Sequence, residues 1–229
     1  MIRGSAARIA LCAAFIAILG LVALKAARQG LSDFYVQSAS QEIERWEARS
    51  SRGNEWLRAM EYLEKSLRYA PHSAWPLEEL AALHLRRVRL ATQPELALAS
   101  ARAAYVNLRE ALVERPTSPF AWANLALAKL YLDEVDGELF EALGRAAELG
   151  PWEPGAQLTV VFVGLAVWHK ANASQRQMIV ASLQRAATRD PIKVVEMTKG
   201  FSQVDLICDK RAVTKELAAA CLAATPKRR

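Results

Sequence analysis

Ile9 to Leu24 is an unbroken apolar run, IALCAAFIAILGLVAL, with Arg3 and Arg8 before it and Lys25 and Arg28 after it. In lipid a lone segment can satisfy every backbone N–H and C=O only as a helix, so the run predicts a membrane-crossing helix. It falls slightly short of the ~20 residues such a helix needs, and Ala26, Ala27 and a snorkelling Lys25 extend it. Beyond it, apolar positions recur at three and four residues, the period of one-sided helices. Ser32-Asp33 can cap a leading helix to about Arg49, and Ser51-Arg52-Gly53-Asn54 reads as a turn. Trp56, Ala59, Met60, Leu63, Leu67 and Ala70 then form one stripe, which stops at Pro71-His72-Ser73. Further stripes are Leu77 to His84, Ala97 to Leu112, Ala121 to Leu132, Leu139 to Ala146, Leu158 to Trp168 and Ile179 to Ala186. Short helices follow around Lys193 to Thr198, Ser202 to Cys208 and Thr214 to Ala223. Leu158 to Trp168 is apolar nearly all round and too short to cross a bilayer, which predicts a helix buried on both sides.

The start of the chain also has the layout of a secretory signal. Cutting after Ala27 would place Lys25 at the third position back, and cutting after Ala26 would place Leu24 there. Neither is a small residue, so the pattern favours an uncleaved anchor. Leu11 is too large to precede a lipid-modified Cys12. The basic flanks are nearly balanced, and the secretory-like start orients the bulk of the chain outward, which in a bacterium is the periplasm.

The net charge is +6 and the pI about 9.4. Basic residues are interleaved with acids, as in Glu61-Tyr62-Leu63-Glu64-Lys65, which describes solvated helix faces and not a nucleic-acid surface. Apolar residues make up 52% of the chain, and at 229 residues most of the apolar surface can be buried without disulfides or metals.

A phrase recurs along the chain. It reads YLEKSLRYAPHSAWPLEELAAL from Tyr62, NLREALVERPTSPFAWANLALA from Asn107 and ALGRAAELGPWEPGAQLTVVFV from Ala142, with a weaker copy, SLQRAATRDPIKVVEMTKGF, from Ser182. Pro116 and Pro151 lie thirty-five residues apart, and Ala121 and Ala156 keep that register. Ser66, Ala111 and Ala146 occupy one slot before the Pro, where two helices must approach closely. A period near 34 with Pro after the second helix of each pair resembles the tetratricopeptide repeat family from about Trp56 to Pro191. The Gly-Tyr pair of that family's first helix is absent, and the longer spacing from Pro71 to Pro116 suggests an extended loop near Arg89 to Pro94. The resemblance implies an all-α chain: a transmembrane helix, then a solenoid of antiparallel helix pairs with a partner-binding concave face. Asn124 and Lys129 match groove residues of such domains by position. The implied organisation is an anchor at 1–28, a leading helix and turn at 29–55, repeats at 56–191, capping helices at 192–224 and a basic tail at 225–229. The whole-chain plan is also similar to the small single-pass envelope proteins of bacterial exopolysaccharide and O-antigen assembly. That likeness rests on the short anchor, Arg45-Trp46-Glu47, the degenerate repeats and Asp205-Leu206-Ile207-Cys208, and it implies a non-catalytic role in polysaccharide biosynthesis or export with other envelope or membrane proteins as partners.

Reactive chemistry is sparse. His72, His84 and His169 show no ligand spacing with each other or with Cys, so no metal site is expected. No nucleophile elbow, P-loop or dinucleotide motif occurs, and no cofactor or small-molecule substrate is implied. Asp133-Glu134 and Asp136 precede Gly137 in what reads as a solvated turn. Cys208 and Cys221 are either a disulfide or two buried thiols, the first in an oxidising compartment. Trp152, between Pro151 and Pro154, is the aromatic placed to stay exposed and line a partner groove.

Overall fold

The computed structural model describes residues 3–49, 55–208 and 214–224. The expected turn at Ser51 to Asn54 and the basic tail 225–229 lie outside them. Among the described residues the chain is helical, without a strand: α1 (Arg3–Arg49), α2 (Glu55–Tyr69), α3 (Ala74–Leu90), α4 (Pro94–Glu114), α5 (Pro119–Tyr131), α6 (Gly137–Leu149), α7 (Pro154–Ala166), α8 (Ala173–Arg189), α9 (Pro191–Gly200) and α10 (Lys215–Ala224). The chain divides into two compact units, Met1–Pro76 and Leu77–Arg229.

In the first unit α1 is one helix of 47 residues, about 70 Å long at ~1.5 Å per residue. Residues 11–31 are exposed throughout, and from Leu11 the helix is long and apolar enough to cross a membrane. From Ser32 onward the same helix has a buried stripe of Ser32, Val36, Ala39 and Glu42 packed on α2. The apolar run and the leading helix are therefore continuous, contrary to the cap expected at Ser32-Asp33. The Ser32 hydroxyl lies 2.7 Å from that of Ser66 in the buried contact instead. Gly30 alone is too weak a breaker, since a lone Gly costs a helix only ~1 kcal/mol. Tyr35 stacks on Tyr62 and Tyr69, with ring centroids 6.3 and 5.7 Å away. The Glu42 carboxylate accepts from Arg45 at 2.8 Å and from Arg58 at 3.0 Å, which neutralises a charge that is only 6% exposed.

In the second unit each helix from α4 to α10 packs on the next, and several on the next but one: α5 on α4, α6 and α7, then α7 on α8 and α9. The turns share a construction. The backbone N–H of Arg115, Gly150 and Asp190 closes on the carbonyl of Ala111, Ala146 and Ala186, four residues back. Ala70 to Ser66 repeats this in the first unit. Ser66, Ala111 and Ala146, the close-approach slot of the phrase, have no exposed surface. Pro119, Pro154 and Pro191 then open the next helices, where a missing N–H costs nothing.

α7 explains its own composition. Val160 and Val163 belong to one apolar cluster, with Leu125 and Leu143, while Val161 and Leu165 belong to a second, with Leu183 and Val194. A helix between two cores has no face for polar residues. The extended loop expected near Arg89 to Pro94 does not form. The long Pro71 to Pro116 spacing is taken up by helices of 17 and 21 residues, α3 and α4, with only Ala91 to Gln93 between them.

Candidate partner-binding cleft

The turn from Gly150 to Glu153 is held from three sides. Gly150 is required by space and not by its backbone angle: a Cβ there would lie 2.5 Å from the Pro119 Cβ. The Gln157 amide, on the first turn of α7, donates to the Gly150 carbonyl at 2.8 Å. From α8, Arg189 donates to the Trp152 carbonyl at 3.2 Å. With its backbone held, Trp152 leaves its indole 73% exposed. Beside it opens a cleft of about 600 Å³ lined by Pro151, Trp152, Leu158, Arg185, Arg189 and Lys193, among others. That volume is typical of sites for small ligands or short peptide segments.

Lys129 is not a groove contact. It sits on α5 with 2% exposure, its ammonium 2.8 Å from Glu138, 2.9 Å from Asp136 and 3.2 Å from Glu134. Its Nζ also lies 5.4 Å from the centre of the Tyr105 ring. Burial alone would lower its pKa, but hydrogen bonds to the three carboxylates outweigh that and raise it above the ordinary lysine value. Burial alone would raise Asp136 and Glu138, yet the hydrogen bond and charge of Lys129 hold both below ordinary carboxylates. Arg109 adds to the effect at Glu138, 2.6 Å away. The acidic segment is therefore the closing knot of the α5–α6 turn, and Asp136 also caps α6 through the Leu139 N–H.

Asn124 is half-buried on the same helix. Five residues at ~100° each put it about 140° around α5 from Lys129, so the two do not share a face. Trp152 lies beyond the far end of α6 from the Lys129 knot, about 20 Å along a helix of that length. The three expected groove residues are thus brought to three different places. Cys208 and Cys221 are joined by a disulfide, with Cα atoms 5.5 Å apart, in the cluster that seats α10. Burial, and then the charge of Arg87, push the His84 pKa down. Among the described residues no group of three or more His, Cys, Asp or Glu is placed to hold a metal.

Sequence reasoning missed Gln157, Arg185, Arg189 and Lys193. The signal was present in part: Arg185 and Arg189 stand four apart on one helix, hence on one face, just before the Asp190-Pro191 stop. Comparison with protein-family models finds no match to this sequence, and comparison with curated proteins finds none either.

Proposed function

We propose that the chain is a non-catalytic, membrane-anchored scaffold whose tetratricopeptide-type helical array holds protein partners at the bacterial inner membrane, in polysaccharide biosynthesis or export. The observation that carries the reading is α1, one continuous helix whose first part is apolar and unburied and whose second part is packed on α2. A rod of this kind ties folded helices to a bilayer without a flexible linker. Confinement to a surface raises the effective concentration of membrane partners. The neighbour and next-neighbour packing of α4 to α9 and the shared turn construction support the repeat reading. The Cys208–Cys221 disulfide supports an oxidising compartment, the periplasm, for the bulk of the chain.

The test is direct. Membranes are washed at alkaline pH, the N-terminus of the retained chain is sequenced, and partners are captured from detergent extracts with the full chain. The reading expects an intact N-terminus in the membrane and co-capture of polymer-synthesis or export proteins, with surface polymer lost on deletion. A chain cut after residue 26 or 27 and washed free would overturn the anchor. Unchanged polymer in a clean deletion would overturn the pathway, and capture of pilus or secretion components would move the scaffold to that machine.

A further inference from the structure

We propose that the cleft beside Trp152 binds an extended, acidic segment of a partner polypeptide, held by its charge and by an apolar side chain seated against Trp152. This deepens the scaffold reading by assigning a place and a chemistry to the partner contact. An excess of positive charge beside an exposed aromatic carries the argument. The walls are held in place: the Gln157 amide donates to the Gly150 carbonyl at 2.8 Å, and Arg185 donates through Nη2 to Ser182 at 3.0 Å.

Charge and shape narrow the occupant further. Arg185, Arg189 and Lys193 face one acid, Asp190, whose carboxylate is already engaged by the Lys193 backbone N–H at 3.1 Å. Among the described residues none of these three cations pairs with a carboxylate. Complementarity therefore calls for negative side chains on the segment. The exposed indole of Trp152, beside Pro151, Pro154 and Leu158, offers an apolar seat of the kind that anchors interfaces. A second hollow of about 580 Å³, bordered by Gln184, Leu206 and Leu217, shares Trp152, Arg185 and Thr188 with the first. Two hollows side by side, with Trp152 bordering both, suit an extended chain better than a compact small molecule.

The experiment uses the full chain in detergent micelles and fluorescence anisotropy. The probe is a dye-labelled, acetylated and amidated eight-residue peptide of Asp and Glu around one Leu. A Lys-based counterpart, the acidic peptide with its Leu replaced by Gly, oligo-dT and inorganic phosphate complete the set. The acidic peptide should bind and weaken with salt. The Lys peptide should not bind, and loss of the Leu side chain should weaken binding about tenfold. Trp152→Ala and Lys193→Glu, both at exposed side chains and checked for unchanged melting, should each weaken it about tenfold. Equal binding of acidic and basic peptides, variants within about twofold of wild type, or competition by phosphate or oligo-dT equal to that of unlabelled peptide would each overturn the proposal. Partner capture separates the two readings. If the Lys193→Glu chain captures the same membrane proteins as wild type, the cleft falls and the scaffold stands. If wild type binds the peptide but captures nothing, the scaffold falls and the cleft stands.

Discussion

Replacing Lys129 by Met keeps the apolar stem and removes the ammonium at the centre of the α5–α6 knot. Three carboxylates then face each other around an empty charge site. Breaking a buried ion pair by deleting one partner costs about 3–5 kcal/mol, because the remaining charge is stranded. Here the cost is smaller. Glu134, Asp136 and Glu138 side chains are 34%, 52% and 24% exposed, so water screens them. Glu134 also keeps Arg102 at 3.2 Å, and Glu138 keeps Arg109 at 2.6 Å. A loss of about 2–3 kcal/mol follows. For a unit of this size that lowers Tm by about 5–10 °C, read by far-UV circular dichroism of the full chain in detergent. The pH dependence tests the cause. Asp136 and Glu138 have folded pKa values below their ordinary 3.8 and 4.5, so their stabilisation is complete above those values and is lost as pH falls through the depressed ones. In the Met variant there is no ammonium to lose, and protonation relieves the repulsion. The gap between wild type and variant should therefore narrow below about pH 4.5. A Tm within about 2 °C of wild type at neutral pH, or a gap that widens in acid, would refute the reasoning.

Two glycines in and after one helix should respond with opposite sign. Gly150→Ala puts a Cβ against the Pro119 ring and should destabilise by about 1–3 kcal/mol, whereas Gly144→Ala, with nothing within 4 Å, should stabilise by about 0.5–1 kcal/mol; urea titration of both variants decides. Cys208 and Cys221 are 13 positions apart, so replacing both by Ser removes a loop constraint worth about 3 kcal/mol in the chain-entropy picture. The expected result is early proteolysis and fast amide exchange confined to α10, and protection equal to wild type would count against a stapling role.

Local features were legible in the sequence wherever one element settles its own fate. The apolar run at Ile9 to Leu24 has no solution in lipid other than a helix. The three-four spacing and the recurrent Pro set the helix ends to within a few residues, because a Pro ring ends or opens a helix by covalent geometry. The all-round apolar face of α7 foretold burial on both sides. Only tertiary structure decided the rest. Ser32 reads as a cap, but Ser66 across the α1–α2 contact turns it into a buried hydrogen bond and lets the helix run on. Lys129 reads as a groove contact, but the α5–α6 turn folds three acids over it. Gly150 reads as a helix stop, and its real demand is room for Pro119. Trp152 alone suggested exposure, but the cleft beside it exists only where Leu158 of α7 and Arg185 and Arg189 of α8 are brought together. Periodicity records which face of a helix is buried. It does not record which atom of another helix will lie opposite, and that pairing decides each of these sites.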